Sequence, residues 1–508
     1  MSTSLVADRV NAATSDRFGG FGSPVKLSDR VSREFLLHHR LCPLGALADG
    51  SLMVAVTQGS LMAGLDDLSV AYMRPVVVHT LSEQNLDSLI ARLVSAETTD
   101  VELEVGAEDR EEPEFARDIR DLANQPPVVR FVSLLLREAY EAGASDVHLE
   151  ATRIGLRSRY RIDGVLIPGI DPPERLDRAV VSRLKLLAEL DIAERRRPQD
   201  GRIRVRLESR ELDLRVSTVP TVFGESVVLR LLERGIGIVP LESLGLSAES
   251  LASMQRLASQ PTGMVLVTGP TGSGKSTTLY STLGLRSAKS EKIVTIEDPV
   301  EYTLEGVTQV PVHAPTGVTF ASVLRSILRQ DPDVIFVGEM RDAETAELAV
   351  QAALTGHMLF STLHTNDAIG AIPRLLDLGV APFLLTATLE AVLAQRLVRR
   401  VCDACREPYQ PDMTALRQMD EMSCSPSQFT RGRGCSDCRG TGYRGRTGIF
   451  ELLMLTDDLR DAVAGGVPRS RLAQLAAEAG MRTMRTDGYV KVRDGLTTVE
   501  EVLRVTQN

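Results

Sequence analysis

The sequence predicts an α/β chain of several domains, whose second half is a parallel sheet covered by helices. Three observations carry this. From about residue 240, short apolar runs alternate with helical patterns: "MVLVTG", "KSTTLYSTLG", "KIVTIED", "SVLRSILRQ", "DVIFVGE", "ETAELAVQAALTG" and "MLFSTLH". Alternation of that kind builds parallel strands joined by helices. The first of these runs leads into a glycine-rich loop that needs a strand before it and a helix after it. The length, 508 residues, is too great for a single core.

The elements follow in order. Residues 1–99 are expected to hold one small α/β domain. "REFLLHHRLCPLGA" has helical spacing, "SLMVAVT" reads as a strand, and "LSEQNLDSLIARLV" reads as an amphipathic helix. "ETTDVELEVGAEDREEPEFARDIRD" is acidic and poor in large apolar residues, so residues 100–123 are expected to link rather than pack, with a solvated helix face as the alternative. Residues 124–236 read as an arginine-rich α+β domain. It opens with the helix "VVRFVSLLLREAYEAGA", ending near Gly143. The strands "SDVHLEAT" and "GLRSRYRIDGVLI" follow, with an Asp163-Gly164 turn. Then come the helix "RLDRAVVSRLKLLAELD" and the alternating strands "RIRVRL", "RELDLRVSTVP" and "ESVVLRLL". Residues 237–508 carry the parallel sheet. Within them "APFLLTATLEAVLAQRLVRR" reads as one long helix leading into a cysteine-bearing insert at 398–447, and 455–508 reads as mostly helical.

Composition narrows the function classes. The net charge is -10 and the pI about 5.4, against the basic surface usual in nucleic-acid motors, and no strip of interleaved aromatic and basic residues is present. No nucleic-acid partner is expected. No run of about 18 apolar residues exists, so no spanning helix is expected. The N-terminus "MSTSLVADRVNAATSDR" lacks the apolar core of a signal peptide, and a cytoplasmic chain is expected. Six cysteines in such a chain favour metal or free thiols over disulfides.

Gly269-Pro270-Thr271-Gly272-Ser273-Gly274-Lys275-Ser276, followed by Thr277, fits G-x-x-x-x-G-K-[ST]. Its glycines let the backbone wrap a phosphate, and the helix behind it adds positive potential. Lys275 is expected on the β- and γ-phosphates of ATP and Ser276 on Mg²⁺. The motif is silent on what hydrolysis is used for, so a scaffold that binds nucleotide without useful turnover stays open. Glu297-Asp298-Pro299-Val300-Glu301 follows the strand "IVTI", where open parallel sheets bind ligands. A carboxylate there can activate water, and the alternative is a charged surface loop. "VIFVGEMRD" ends a second strand at Glu339, after Gly338. Glycine cannot hold a metal, so Ser276, waters and Glu339 are left to do so. Asp331 and Asp333 sit at the other end of that strand and should be remote from phosphate. His357 and His364 flank "MLFSTL". They are candidates for sensing the γ-phosphate or meeting a neighbouring subunit, or are structural.

Cys402-x₂-Cys405 and Cys435-x₂-Cys438 can supply four thiolates to one tetrahedral Zn²⁺. A redox dithiol or two unrelated pairs are the alternatives. Four cysteines leave no open position, so such a zinc would be structural. Cys42 and Cys424 look unpaired, and Cys42 lies in an apolar stretch that suggests burial.

Together these motifs resemble a family. "GPTGSGKST", "TIEDPVEY", "VGEMRDAETAELAVQAALTGH" and "STLHTNDA" are similar to the Walker A, Asp box, Walker B and His box of secretion ATPases, the hexameric motors of type II secretion and type IV pilus assembly. "SDVHLE", "RRRPQDGRI", "RVSTVPTVFGESVVLRLL" and "GRTGIFELL" match the same family outside the site. The resemblance spans residues 120–508, and the single small N-terminal domain suits the GspE-like members. It implies a RecA-like ATPase domain behind a PAS-like α+β domain, and a tetracysteine zinc insert that the pilus-retraction motors lack. It implies Glu301 as base, His357 and His364 as the His-box pair, and Arg202, Arg215 and Arg230 as arginines that move over the nucleotide. The alternative for these arginines is pairing with acids such as Glu211 and Asp213. Gly338 is ordinary for the family. The implied activity is ATP hydrolysis driving pseudopilus assembly, or pilus assembly in the nearest rival. The implied partners are a homohexamer, a membrane-anchored protein bound by the N-terminal domain, and an inner-membrane platform protein.

Overall fold

The computed structural model describes residues 33–46, 49–57, 64–82, 86, 101–103, 121–173, 175–207, 210–233, 237–286, 288–419 and 429–507. Most of the helix expected at 81–94, most of the acidic linker, and Cys424 lie outside these residues. The chain forms two compact units. One gathers the described residues up to Glu138 with Pro172–Arg197 and Gly201–Leu212; the other gathers Ala139–Asp171, Pro198–Asp200 and Asp213–Asn508.

In the first unit, helix α1 (Arg33–His39) leads into β1 (Leu41–Ala46), followed by β2 (Leu52–Val56), α2 (Gly64–Tyr72) and β3 (Val76–Thr80). The sheet order is β1-β2-β3, antiparallel then parallel. The helix expected over Arg33–Ala46 therefore stops at His39. Pro43 cannot donate within a helix, and this half of the stretch pairs with β2 instead. Leu36, Leu41, Cys42, Leu52, Val54 and Leu68 fill the core, so Cys42 is buried as its context suggested. Beyond it, β4 (Val101–Leu103) pairs with β8 (Gln199–Leu207). Helix α3 (Pro126–Glu141) buries Val128, Val132, Leu135 and Leu136, at the spacing of one helix face. Helix α4 (Asp177–Leu187) follows.

The second unit contains two large sheets. In one, β9 (Arg210–Thr221), β10 (Gly224–Glu233), β5 (Ala144–Thr152), β6 (Gly155–Ile162) and β7 (Val165–Pro168) lie side by side in that order. The Asp163-Gly164 turn joins β6 to β7, with both residues at positive φ.

The other is the site-bearing sheet, of order β13-β12-β14-β15-β11-β16-β19. Its strands are β11 (Gly263–Thr268), β12 (Ile293–Glu297), β13 (Thr308–Pro311), β14 (Val334–Val337), β15 (Met358–Leu363), β16 (Leu389–Val401) and β19 (Tyr443–Met454). All neighbours are parallel except β16 and β19. Met264 and Leu266 of β11 face one core, and Val265 and Val267 the other. Burial on both faces is why these strands read as unbroken apolar runs. Each fully buried Leu or Val contributes about 1.5–3 kcal/mol.

Helices α5 (Ala248–Ala258) and α6 (Lys275–Leu283) cover one face. Helices α7 (Phe320–Ile327), α8 (Ala343–Leu354), α9 (Ala371–Asp377) and α10 (Pro382–Thr388) cover the other. The long helix expected over 381–400 is a correction. It ends at Thr388, and Leu389–Val401 is a strand between β11 and β19. A continuous apolar run suits a buried helix or a central strand equally, and the two neighbouring strands decide it here. After β16 come β17 (Arg406–Tyr409), α11 (Met413–Arg417) and β18 (Phe429–Gly432), with β17 and β18 paired antiparallel. Helices α12 (Asp457–Ala464), α13 (Arg469–Glu478), α14 (Met484–Arg493) and α15 (Val499–Thr506) close the chain, as mostly helical a segment as its sequence suggests. No described helix is long and apolar enough to cross a membrane.

Candidate nucleotide site and cysteine cluster

The phosphate loop leaves the C-terminal end of β11 and opens α6. Gly269, Gly272 and Gly274 all take positive φ, a region that costs other residues strain. Lys275 donates from Nζ to the carbonyls of Gly269 at 2.8 Å and Pro270 at 3.0 Å, folding its ammonium over the loop. Burial lowers its pKa, while the charges of Glu339 and Glu301 work the other way, so both carboxylates sit within electrostatic reach of it. Ser276 donates from Oγ to Glu301 at 2.9 Å. Glu339 is held by Arg341 at 2.6 Å and meets His364 Nε2 at 3.1 Å. The ends of β11, β12, β14 and β15 thus bring Lys275, Ser276, Glu301, Glu339 and His364 together.

Other residues are placed elsewhere. His357 lies at the opposite end of β15 from His364. Its Nδ1 contacts the Ala352 carbonyl at 2.8 Å and the Thr355 hydroxyl at 3.2 Å. A six-residue strand, about 20 Å long, separates it from the phosphate end, so the structure does not join it to the loop. Asp333 caps the Lys292 N–H at 2.7 Å at that same far end, remote from phosphate as its position implied. Arg230 pairs with Asp146 at 2.8 Å. Arg215 shares with Arg230 the sheet face opposite the buried Leu214, Val216 and Leu229. Arg202 is exposed on β8, in the first unit.

Glu297, the last residue of β12, is not available to substrate. It is buried and bonded to the Tyr280 hydroxyl, to Thr295 at 2.5 Å and to Gln309 at 3.1 Å. Burial, then the bond to Glu297, raises the Tyr280 pKa and keeps that phenol a donor. The contact ties α6 to the strand that leads into the Glu301 loop. Gly338 has a packing reason. Its N–H donates to Ile296 at 2.8 Å, and a Cβ there would meet the Ile296 carbonyl at 3.0 Å and Phe320 at 3.4 Å. A side chain at this position would crowd both neighbours.

Several supporting residues escape sequence reasoning. The Thr268 hydroxyl accepts from Thr365 N at 2.9 Å and lies 2.7 Å from the Thr365 hydroxyl, locking the His364 loop to β11. Buried Glu451 accepts from the N–H groups of Ala368 and Met484, anchoring the far side of that loop. Burial raises its pKa. Arg341 is visible as a charge beside Glu339 in "GEMRD", but nothing in the sequence fixes its partner.

Cys402, Cys405, Cys435 and Cys438 converge, with all four Sγ atoms within 4.8 Å of one another. Close pairs are 3.9, 3.8 and 3.7 Å apart. A tetrahedron with Zn–S of about 2.3 Å has edges of about 3.8 Å, so the donor set fits that ion. Gly434, Cys435 and Gly442 donate N–H groups to these sulfurs at 3.2–3.3 Å. Burial opposes ionisation of Cys438, yet the N–H groups of Cys435 and Gly442, with the neighbouring thiols, bring it down to about 6. The root of the insert is clamped by α15. Glu501 binds Arg399 at 2.8 Å and Arg504 at 2.6 Å, Tyr443 bonds Thr498 at 2.8 Å, and Tyr409 bonds Glu500 at 2.7 Å.

Comparison with known proteins agrees with this geometry. The model of the type II/IV secretion system protein family matches residues 121–504, and an MshEN domain model matches 18–100. Type II secretion system protein E of Xanthomonas campestris pv. campestris is 45% identical over 94% of this chain and 85% of its own length. The type IV pilus assembly ATPase PilB of Myxococcus xanthus is 43% identical over 93% of this chain and 85% of its own. The crystal structure of the pilus retraction motor PilT with ADP is 30% identical, with a TM-score of 0.51 over 73% of this chain and 96% of that one. Legionella pneumophila ATPase DotB, 21% identical with a TM-score of 0.57 over 79% of this chain and 99% of that one, shares the fold. A complete phosphate loop, the acids gathered at its sheet end, and a family match over more than two thirds of the length place this chain in the type II/IV secretion system protein family.

Proposed function

We propose that this chain is the ATPase motor of a type II secretion system, hydrolysing ATP to ADP and phosphate and driving pseudopilus assembly and protein export. The convergence of Lys275, Ser276, Glu301 and Glu339 at one end of a parallel sheet carries the reading. The phosphate loop, Gly269 to Thr277, holds the phosphates through backbone N–H groups and Lys275. The Ser276 hydroxyl and the carboxylates beside it are hard oxygen donors that would hold Mg²⁺, which neutralises phosphate charge when bound. Glu301 takes the proton of the attacking water. Glu339, fixed by Arg341 and His364, serves the metal side. The bond between Ser276 and Glu301 sets Glu301 beside the hydroxyl that faces the metal.

The remaining assignments extend this reading. Arg202, Arg215 and Arg230 belong to the arginine-bearing segment at 124–236 and stabilise charge on the nucleotide in an assembled homohexamer, Arg230 after leaving Asp146. His357, remote from the loop within its own chain, is assigned to subunit contact. Residues 1–99 dock on a membrane-anchored secretion protein and are joined to the rest of the chain by the linker at 100–123, and the motor at 237–508 acts on an inner-membrane platform protein. The chain is cytoplasmic and reaches the membrane only through these partners. The four cysteines hold a structural Zn²⁺ within the insert at 398–447. The resemblance to PilB keeps a second reading, a pilus-assembly ATPase. Pull-down of the membrane-anchored partner with and without residues 1–99, together with ATP hydrolysis by wild type and Lys275→Ala, tests the proposal. Capture of a secretion partner and hydrolysis lost in Lys275→Ala support it; capture of pilus components favours the second reading.

A further inference from the structure

We infer that Gln395, on β16, is a positioning residue for the phosphate loop. The inference rests on the reading that this loop binds nucleotide phosphates. Gln395 is 2% exposed and stands one residue beyond the last register pair of β11 with β16, Thr268 with Ala394. That places it directly beneath the loop. Its Nε2 donates to the Ser273 carbonyl at 2.7 Å, a contact between residues 122 positions apart.

The consequence follows from peptide geometry. The Ser273–Gly274 peptide is planar and trans, so its C=O and N–H point in opposite directions. Fastening the Ser273 carbonyl to β16 turns the Gly274 N–H away from the strand, toward the side where the start of α6 meets a phosphate. Without the amide donor that peptide is free to rotate, and a carbonyl oxygen can face the phosphate instead.

Two further observations point the same way. A Cβ at Gly269 would collide with the main-chain carbonyl of Gln395, and a Cβ at Gly274 would lie 3.1 Å from its side-chain Nε2. Two of the motif glycines are therefore pressed against this one residue. The Oε1 of Gln395 and the Oγ of Ser273 are also both buried without a hydrogen-bond partner. Unsatisfied polar atoms at a buried contact are tolerated where geometry serves something other than packing.

The test is titration of the full-length, zinc-loaded chain with a fluorescent ADP analogue and with ATP, for wild type, Gln395→Met and Gln395→Glu. Both variants keep the length of the side chain and lose the donor. Both are expected to bind about tenfold or more weakly. KM for ATP should rise in parallel, with kcat falling less than about threefold, as for an interaction made equally in ground and transition states. Zinc content and the denaturation midpoint without nucleotide should match wild type. Wild-type affinity in Gln395→Met overturns the inference even if Gln395→Glu binds weakly, because the effect is then charge. Weak binding that tracks a lowered midpoint in both variants also overturns it. Failure of the wild-type chain to bind ADP would instead strike the nucleotide reading itself, and the inference with it.

Discussion

Glu501 gives the most quantitative forecast. Its side chain is 1% exposed, and it accepts from Arg399 Nη2 at 2.8 Å, Arg399 N at 3.1 Å, Arg504 Nη2 at 2.6 Å and Arg504 Nε at 2.9 Å. Burial alone would raise its pKa, yet the two arginines hold it down from 4.5 to about 2. A shift of that size corresponds to about 3 kcal/mol of stability at neutral pH. Glu501→Gln should cost a similar amount, within the range of about 3–5 kcal/mol for breaking a buried pair from one side. The loss falls on the root of the cysteine insert, because Arg399 also lies 4.1 Å over the Tyr443 ring. Where local opening of that root limits metal release, transfer of zinc to a chromophoric chelator should speed up about 100-fold. The pH dependence has a definite sign. The folded pKa lies below the unfolded one, so the contribution is complete above about 4.5 and fades as pH falls toward 2. Urea midpoints of wild type and variant should therefore converge over that window. A chelator rate and a midpoint within twofold of wild type at pH 7 would refute the reasoning.

Other outcomes are equally concrete. Lys275→Ala should abolish ATP hydrolysis and weaken nucleotide binding, measured by phosphate release and titration. Metal analysis of the reduced protein should find one zinc per chain, with loss of the insert's protease resistance after chelation and in Cys435→Ser. Gly338→Asp should not improve the site. The added side chain meets the Ile296 carbonyl and Phe320, so overpacking of about 1–3 kcal/mol should lower the denaturation midpoint along with the activity.

Much of the fold is legible because its strands obey simple patterns. "MVLVT", "VIFV" and "MLFSTL" are mostly apolar and buried at every position since both faces are covered, and each follows or precedes a helix with clear spacing. The failures share a cause. Leu389–Val401 is apolar at most positions too, but it follows a helix without a loop, so the sequence holds no break between α10 and β16. Missing that strand hides Gln395, whose role exists only because β16 passes under the loop. Within the site, the loop residues and the acids are legible from spacing. The task of each acid is not, because Glu297 and Glu301 differ only in what packs around them: Tyr280, Thr295 and Gln309 enclose the first, while Ser276 meets the second at an exposed edge. The cysteine cluster is the opposite case, since paired C-x₂-C spacing forecasts a four-sulfur convergence that the fold completes.

The central claim is that the acids at the end of the sheet form a hydrolytic site in which Glu301 activates water. The most direct measurement compares Glu301→Gln and Glu339→Gln in single-turnover ATP hydrolysis, with ATP affinity titrated alongside. The account predicts that Glu301→Gln binds ATP about as well as wild type and hydrolyses it about 10²–10⁴-fold more slowly, while Glu339→Gln mainly raises the Mg²⁺ concentration needed for activity. Near-normal hydrolysis by Glu301→Gln would contradict it.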